Sequence, residues 1–294
     1  MRVVIAGSSG LIGSALRRSY ELDGHTVTRL VRRETQSPHE IRWNPGSERL
    51  SSAALDGADV VVNLAGASIG QRWTANHRRA ILLSRTTTAR TLAEAIAGTT
   101  RPPRVFLSAS GIRFYGVDRG DELLTESSAG AQDGFMPKVA HAWEAATRES
   151  TVPVCHLRLG LVLSQHGGLL ARMLPIFRAG LGISPGSGHP FWSFLSLTDA
   201  VRAIRFLATH PQAQGPYNLT APNPVRSREC VDALSAAVGA RTTLPIPVPV
   251  LRLVMGEVAA EAIGSLRVVP NRLAEAGFTH RHPDIASSVR DALT

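Results

Sequence analysis

The chain opens MRVVIAGSSGLIGSALRRSYEL, and this stretch restricts the fold more than anything after it. A short apolar run, Arg2 to Ala6, leads straight into Gly7-Ser8-Ser9-Gly10-Leu11-Ile12-Gly13, and a helical pattern continues from Leu11 to Leu22. Three glycines at spacing three, between a strand and a helix, have separate tasks. Gly7 permits a tight turn, Gly10 lets a pyrophosphate approach the backbone, and Gly13 lets helix and strand pack closely. The helix N-terminus adds unpaired N–H donors and the positive end of a dipole. Gly7, Gly10, Leu11, Ile12 and Gly13 are therefore the expected contacts to a dinucleotide.

The rest of the first half alternates β-branched runs with longer helical patterns. Strands are expected at His25 to Val31, Glu40 to Trp43, Ala58 to Leu64, Arg104 to Ser108, Val154 to Leu161 and Pro216 to Thr220. Helices are expected at Thr74 to Ala97, Pro137 to Ser150 and Asp199 to Thr209. That order predicts an α/β fold of Rossmann type, a doubly wound parallel sheet with a smaller C-terminal substrate and cap region. Val60-Val61-Val62 is continuously apolar, as a strand buried on both faces should be. Beyond Ser164 glycine and proline punctuate the chain, as in GGLLARMLPIFRAGLGISPGSGHP. The expected division is a nucleotide domain over 1–163, with 190–220 contributing to it. A substrate region then spans 164–189 and 221–294, and three short amphipathic patterns form a helical cap from about 245.

With 294 residues and 44% hydrophobic content, the chain can bury a full core. Its formal charge of +9 raises the question of nucleic acid, but the basic residues come singly or in pairs (Arg17-Arg18, Arg32-Arg33, Arg78-Arg79), without a long basic run. Nucleic-acid binding is not expected. Cys155 and Cys230 lack metal or disulfide spacing, and His280 and His282 have no further ligand at metal spacing. No apolar run approaches the roughly 20 residues of a membrane span, and the N-terminal run is too short for a signal segment. The expectation is a soluble cytoplasmic protein, monomer or homodimer, with a small-molecule partner and no metal.

About 20 residues after the last glycine, where an NAD site presents an acid to the ribose, the chain has Arg32 and Arg33. Guanidinium groups there suit a 2′-phosphate, so the expected cofactor is NADP(H); the alternative is two arginines solvating a strand end. Asn63-Leu64-Ala65-Gly66 supplies small residues where backbone would pass close to the ribose, although Asn63 could instead brace its loop. Ser108 is placed with these cofactor contacts.

Together these residues resemble the extended branch of the short-chain dehydrogenase/reductase superfamily. The likeness is greatest to its epimerase-like oxidoreductases with a small C-terminal helical domain. The segments that carry it are IAGSSGLIG, VVNLAGASIGQRW, LSASGIRFYG, LRLGLVLSQHGG, PGSGHPFWSFLSLTDA, GPYNLTAPNPV and VVPNRLAEAGF. The resemblance implies that Ser110, or Ser108 in its place, polarises a substrate carbonyl, and that a Tyr and a Lys on the next helix move the proton. Here that helix reads GFMPKVAHAWE. Anchoring on Glu144 puts Met136 and Ala140 at the Tyr and Lys positions, and the neighbouring register puts Phe135 and Val139 there. Lys138, the single lysine beside 31 arginines, lies about 200° around the helix from the site. Tyr115 and His141 are the nearby substitutes, with packing and surface roles as their alternatives. Arg72 and Trp73 are expected over the nicotinamide and Trp192 in the substrate pocket; a loop-capping Arg72 and a seam-filling Trp73 are the other reading. The implied function is an NADP(H)-binding oxidoreductase, or nucleotide-sugar-epimerase-like enzyme, acting on a small carbonyl or sugar-like substrate without the Tyr-xxx-Lys pair. The alternative is a catalytically silent NADP(H)-binding regulatory or scaffold protein.

Overall fold

The computed structural model describes residues 1–294, with every side chain except that of Met255. The N-terminal apolar run forms β1 (Arg2–Ala6), and the glycine segment turns it into α1 (Leu11–Leu22). Then follow β2 (Thr26–Val31), β3 (Glu40–Arg42), β4 (Val60–Asn63), α2 (Ala75–Ala97), β5 (Val105–Gly111), α3 (Phe135–Ala145) and β6 (Val154–Leu159). In the second half come α4 (Gly168–Arg178), α5 (Leu197–Thr209) and β7 (Gly215–Leu219). These seven strands make one sheet in the order β7-β6-β5-β4-β1-β2-β3, with every neighbouring pair parallel. The order reverses direction at β1, and in a doubly wound sheet the crevice outside the strand C-termini at that point is where ligands bind.

Both faces of the sheet are buried. Val3, Ile5, Val60 and Val62 pack with Leu16, Tyr20, Ile204 and Leu207 from α1 and α5. Val4, Ala6, Val61 and Phe106 pack with Leu92 and Ile96 of α2. Thr74 caps α2 by accepting the His77 N–H, which fixes where that helix starts. The α3 helix begins two residues earlier than Pro137, because proline in a first turn surrenders an N–H that has no helical partner anyway. It also ends sooner than expected, at Ala145.

The second half has its own core, built from Leu170, Leu174 and Phe177 of α4, Phe194, and Val231 and Leu234 of α6 (Ser227–Val238). Short parallel strand pairs, Leu181–Pro185 with Thr242–Ile246 and Leu161–Leu163 with Phe194–Ser196, tie it together. The C-terminal segment holds four short helices rather than three: α7 (Val248–Met255), α8 (Ala259–Ile263), α9 (Asn271–Glu275) and α10 (Ile285–Leu293). An ion pair of 2.6 Å between Arg113 and Glu261 fastens α8 to the first half. Fully buried Asp199 accepts the Arg281 and His282 N–H groups, fastening the stretch before α10 to α5.

Candidate functional site

The glycine turn is shaped by close packing. Gly7 has φ +82°, and a Cβ there would lie 2.6 Å from the Leu64 carbonyl carbon and 2.7 Å from the Ala65 nitrogen. A Cβ on Gly13 would sit 2.1 Å from the Gly7 oxygen. Both glycines are therefore demanded by the packing of strand, helix and the loop after β4. Gly10 differs: it is exposed, it opens α1, and a Cβ on it would meet nothing closer than 3.4 Å. The α1 N-terminus is thus bare backbone facing open space, with no acidic side chain in its first turn. These features fit a pyrophosphate. Leu11 lies against Gly167, which leads into α4, and Ile12 packs on the core beneath; what either offers a ligand is backbone.

At the end of β2 the two arginines separate. Arg33 grips Glu40 through two hydrogen bonds of 2.6 and 2.9 Å and donates a third to the Glu34 carbonyl. That grip holds the Glu40 carboxyl down at about 2, helped by the Gln36 N–H and the nearby Arg29 charge. Arg32 is exposed and forms no ion pair or hydrogen bond among the described residues. Of the pair expected to meet a 2′-phosphate, Arg32 is free to do so. Arg33 is paired with Glu40, although its side chain stays 46% exposed.

The loop after β4 is braced from behind. Asn63, fully buried, accepts the Ala65 N–H at 3.2 Å, while its Nδ2 has no partner. Its register neighbour Ser108 is equally buried and its hydroxyl equally unpartnered. Asn63 therefore shapes the loop, and Ser108 lies beneath the surface that a ligand would touch. Gly66 is exposed and also makes room for a side chain on its other side. A Cβ there would come within 3.1 Å of the Arg85 guanidinium, which was not anticipated at all. The carbonyls of Ala67, Ser68, Ile69 and Gly70 are taken in turn by Arg85, His77, Trp73 and Arg172. The last of these reaches over from α4.

The expected catalytic residues belong to a closed network. Ser110, almost fully buried, donates to Glu144 at 2.8 Å. Glu144 receives two hydrogen bonds of 2.9 Å from Arg158 of β6, which also donates to the Tyr115 hydroxyl at 3.0 Å. Tyr115 in turn donates to Asn218 at 2.8 Å, and the Arg158 guanidinium lies 3.5 Å from the Phe114 ring centroid. Burial pushes the Glu144 carboxyl up, but the Arg158 hydrogen bonds and charge, with the Ser110 hydroxyl, outweigh it and leave it below the usual carboxylate range. Burial pushes the Tyr115 phenol up.

These contacts correct two assignments. The Ser110 hydroxyl hydrogen points at a carboxylate and is not free to polarise a carbonyl. Tyr115 is fully buried with its hydroxyl paired on both sides, so it cannot touch a substrate in this arrangement. On α3, Met136, Val139 and Ala140 are buried and Lys138 is exposed, as the helical geometry requires. The His141 Nε2 sits 3.0 Å from the Ala131 carbonyl and its ring packs on Phe114, so it holds a loop. Arg158 was missed; its signal was an arginine inside the otherwise apolar strand VCHLRL.

Among the expected substrate residues, Arg72 and Trp73 lie in the loop between β4 and α2. Trp73 donates to the Ile69 carbonyl at 2.9 Å and meets Phe135 edge-on, while Arg72 is exposed beside Gly256 at the end of α7. Trp192 is not with them. It is buried, and its indole N–H donates to the Ala262 carbonyl at 3.2 Å, so it anchors α8. Among the described residues no group of three or more His, Cys, Asp or Glu could hold a metal ion, and no helix is long and apolar enough to cross a membrane.

Residues 3–220 match the NAD dependent epimerase/dehydratase family. The chain belongs to that family. Residues 246–292 match a domain of unknown function, DUF1731. An epimerase family protein of Mycobacterium bovis, Mb2239, is 40% identical over 298 residues, covering 99% of this chain and 97% of its own. The human epimerase family protein SDR39U1 is 31% identical over 300 residues, covering 100% of both. A crystal structure of human SDR39U1 (isoform 2) with NADPH superimposes with a TM-score of 0.92 at 29% identity, covering 100% of both chains. A nucleoside-diphosphate sugar epimerase from Corynebacterium glutamicum gives 0.82 at 33% identity, and there the match covers 58% of the longer chain.

Proposed function

We propose that this protein is an NADP(H)-dependent oxidoreductase that acts on a small carbonyl-bearing or sugar-like molecule without a tyrosine–lysine proton relay. The observation that carries the reading is the contrast between the two ends of the crevice. The nucleotide end is complete: Gly7 and Gly13 are packed as the turn demands, Gly10 is open, and Arg32 is free. The chemical end has Met136 and Ala140, both buried, where the resembled enzymes carry their proton donor and its lysine. The structure of human SDR39U1 with NADPH supports the choice of cofactor.

When bound, NADPH supplies a hydride, and the protein supplies position. The α1 N-terminus and the Gly10 backbone hold the pyrophosphate, Arg32 holds the 2′-phosphate, and the Leu64–Ala65 backbone forms the wall beside the ribose. Arg72 and Trp73 orient the acceptor. The apolar side chains at these α3 positions donate no proton. The product's proton comes from solvent, and the roughly 10²- to 10⁴-fold help of a positioned acid is forgone.

The test is to mix the NADPH-loaded protein with a panel of aldehydes, ketones, enones and keto-sugars and follow the near-ultraviolet absorbance of the reduced nicotinamide. Oxidation that depends on both protein and acceptor supports the reading. A second reading, an NADP(H)-binding protein without turnover, draws on Ser110 and Tyr115 being bound within the Glu144–Arg158 network. Stable NADPH across the whole panel would favour it.

A further inference from the structure

Arg85 is a cation without a counter-charge in the part of the site where a cation has been lost. It projects from α2 towards α3, and its guanidinium lies 5.0 Å from the Trp143 ring centroid. Trp143 is less than one helical turn beyond Ala140, which occupies the lysine position of the resembled enzymes. One guanidinium nitrogen donates to the Ala67 and Ile81 carbonyls at 3.0 and 3.1 Å, and Nε is buried without a partner. Among the described residues no carboxylate lies within ion-pair distance of it. Burial draws its ionisation down to about 10, which still leaves it charged at neutral pH. Gly66 is the residue that admits it: a Cβ there would fall 3.1 to 3.4 Å from three of the guanidinium atoms. The guanidinium lies directly against the backbone of Gly66 and Ala67, in the loop that follows β4.

Resting on the proposed NADP(H) site, we propose that Arg85 supplies from α2 the positive charge that α3 lacks, and that this charge makes the site hold NADPH more tightly than NADP⁺. Reduced nicotinamide is neutral and oxidised nicotinamide carries a positive charge. A unit charge within about 10 Å, at an effective dielectric constant near 20, disfavours a second positive charge by roughly tenfold or more. Such a preference favours uptake of the reduced cofactor and release of the oxidised one, while making the bound NADPH a weaker hydride donor. A guanidinium that served only to brace the loop would affect both redox forms alike.

The experiment is calorimetric titration of the full-length protein and two variants with NADPH and with NADP⁺, with the melting temperature recorded for each. Arg85→Gln keeps an N–H donor for the Ala67 carbonyl but removes the charge; Arg85→Lys keeps the charge. The wild type and Arg85→Lys are expected to bind NADPH roughly tenfold or more tightly than NADP⁺. In Arg85→Gln the ratio should fall towards one, chiefly through tighter NADP⁺ binding. Equal affinities for the two forms in the wild type would overturn the inference whether or not the variants fold. A ratio unchanged in Arg85→Gln, with both affinities lowered together, would overturn it in favour of loop bracing. Failure of the wild type to bind either form would overturn the nucleotide site itself, and the inference with it.

Discussion

Replacing Arg158 by leucine should cost this protein more stability than almost any other single change near the site. Arg158 is 3% exposed, and its guanidinium spends two hydrogen bonds on Glu144 and one on the Tyr115 hydroxyl. Leucine would fill much of the volume beside Phe114 but strand the Glu144 carboxylate in a buried setting. Its remaining neighbours would be the Ser110 hydroxyl and His156, whose ring nitrogen is 4.0 Å away. Breaking a buried pair on one side costs about 3 to 5 kcal/mol. Tyr115 keeps Asn218 as its partner, so its share is at most about 1 kcal/mol. The double change Arg158→Leu with Glu144→Leu removes both charges and should recover most of the loss, giving a coupling of about 3 kcal/mol in a double-mutant cycle. The assay is urea unfolding followed by two probes, with NADPH affinity measured alongside. A single-variant cost under about 1 kcal/mol, or a double variant that costs the sum of the singles, would refute the view that this network is a structural clamp.

Other consequences follow for the cofactor and for pH. Arg32→Ala should weaken NADPH by roughly tenfold to a hundredfold, the worth of a hydrogen bond to a charged group, and leave NADH unchanged; Arg33→Ala, whose N–H groups are spent on Glu40, should have much the smaller effect in the same titration. Lys138→Ala should leave NADPH affinity and any turnover unchanged, since the residue is exposed on the far side of α3; a clear loss of affinity would mean that it reaches the ribose. The Glu40 carboxyl, held at about 2 against an ordinary 4.5, contributes stability that is fully present above pH 4.5 and is lost as the pH falls through about 2. Melting temperatures of Glu40→Gln should therefore fall less steeply over that interval than those of the wild type, and parallel curves would contradict the assignment.

The parts of this protein that could be read from sequence are those fixed by local chemistry. Gly7 and Gly13 announce a strand–turn–helix because backbone geometry leaves no other residue there. The run Val60-Val61-Val62 announces a strand buried on both faces, and Thr74 announces the start of α2. Where the outcome depends on a partner far along the chain, the sequence is silent. Arg32 and Arg33 look equivalent until Glu40 folds back on one of them. Ser110 looks like a carbonyl polariser until Glu144 and Arg158, from a different helix and strand, claim its hydroxyl. Trp192 looks like a pocket residue until α8 arrives to receive its N–H. Arg85 carries no local sign at all, because nothing in a helical run distinguishes a guanidinium that solvates a surface from one that slides under a glycine.

The central claim is that the crevice at the C-terminal edge of the sheet holds a phosphorylated dinucleotide. It is tested most directly by titrating the unmodified protein with NADPH and with NADH in a calorimeter at one fixed ionic strength. A single site per chain should bind NADPH roughly tenfold to a hundredfold more tightly than NADH. Equal affinities for the two nucleotides, or no heat from either, would contradict it.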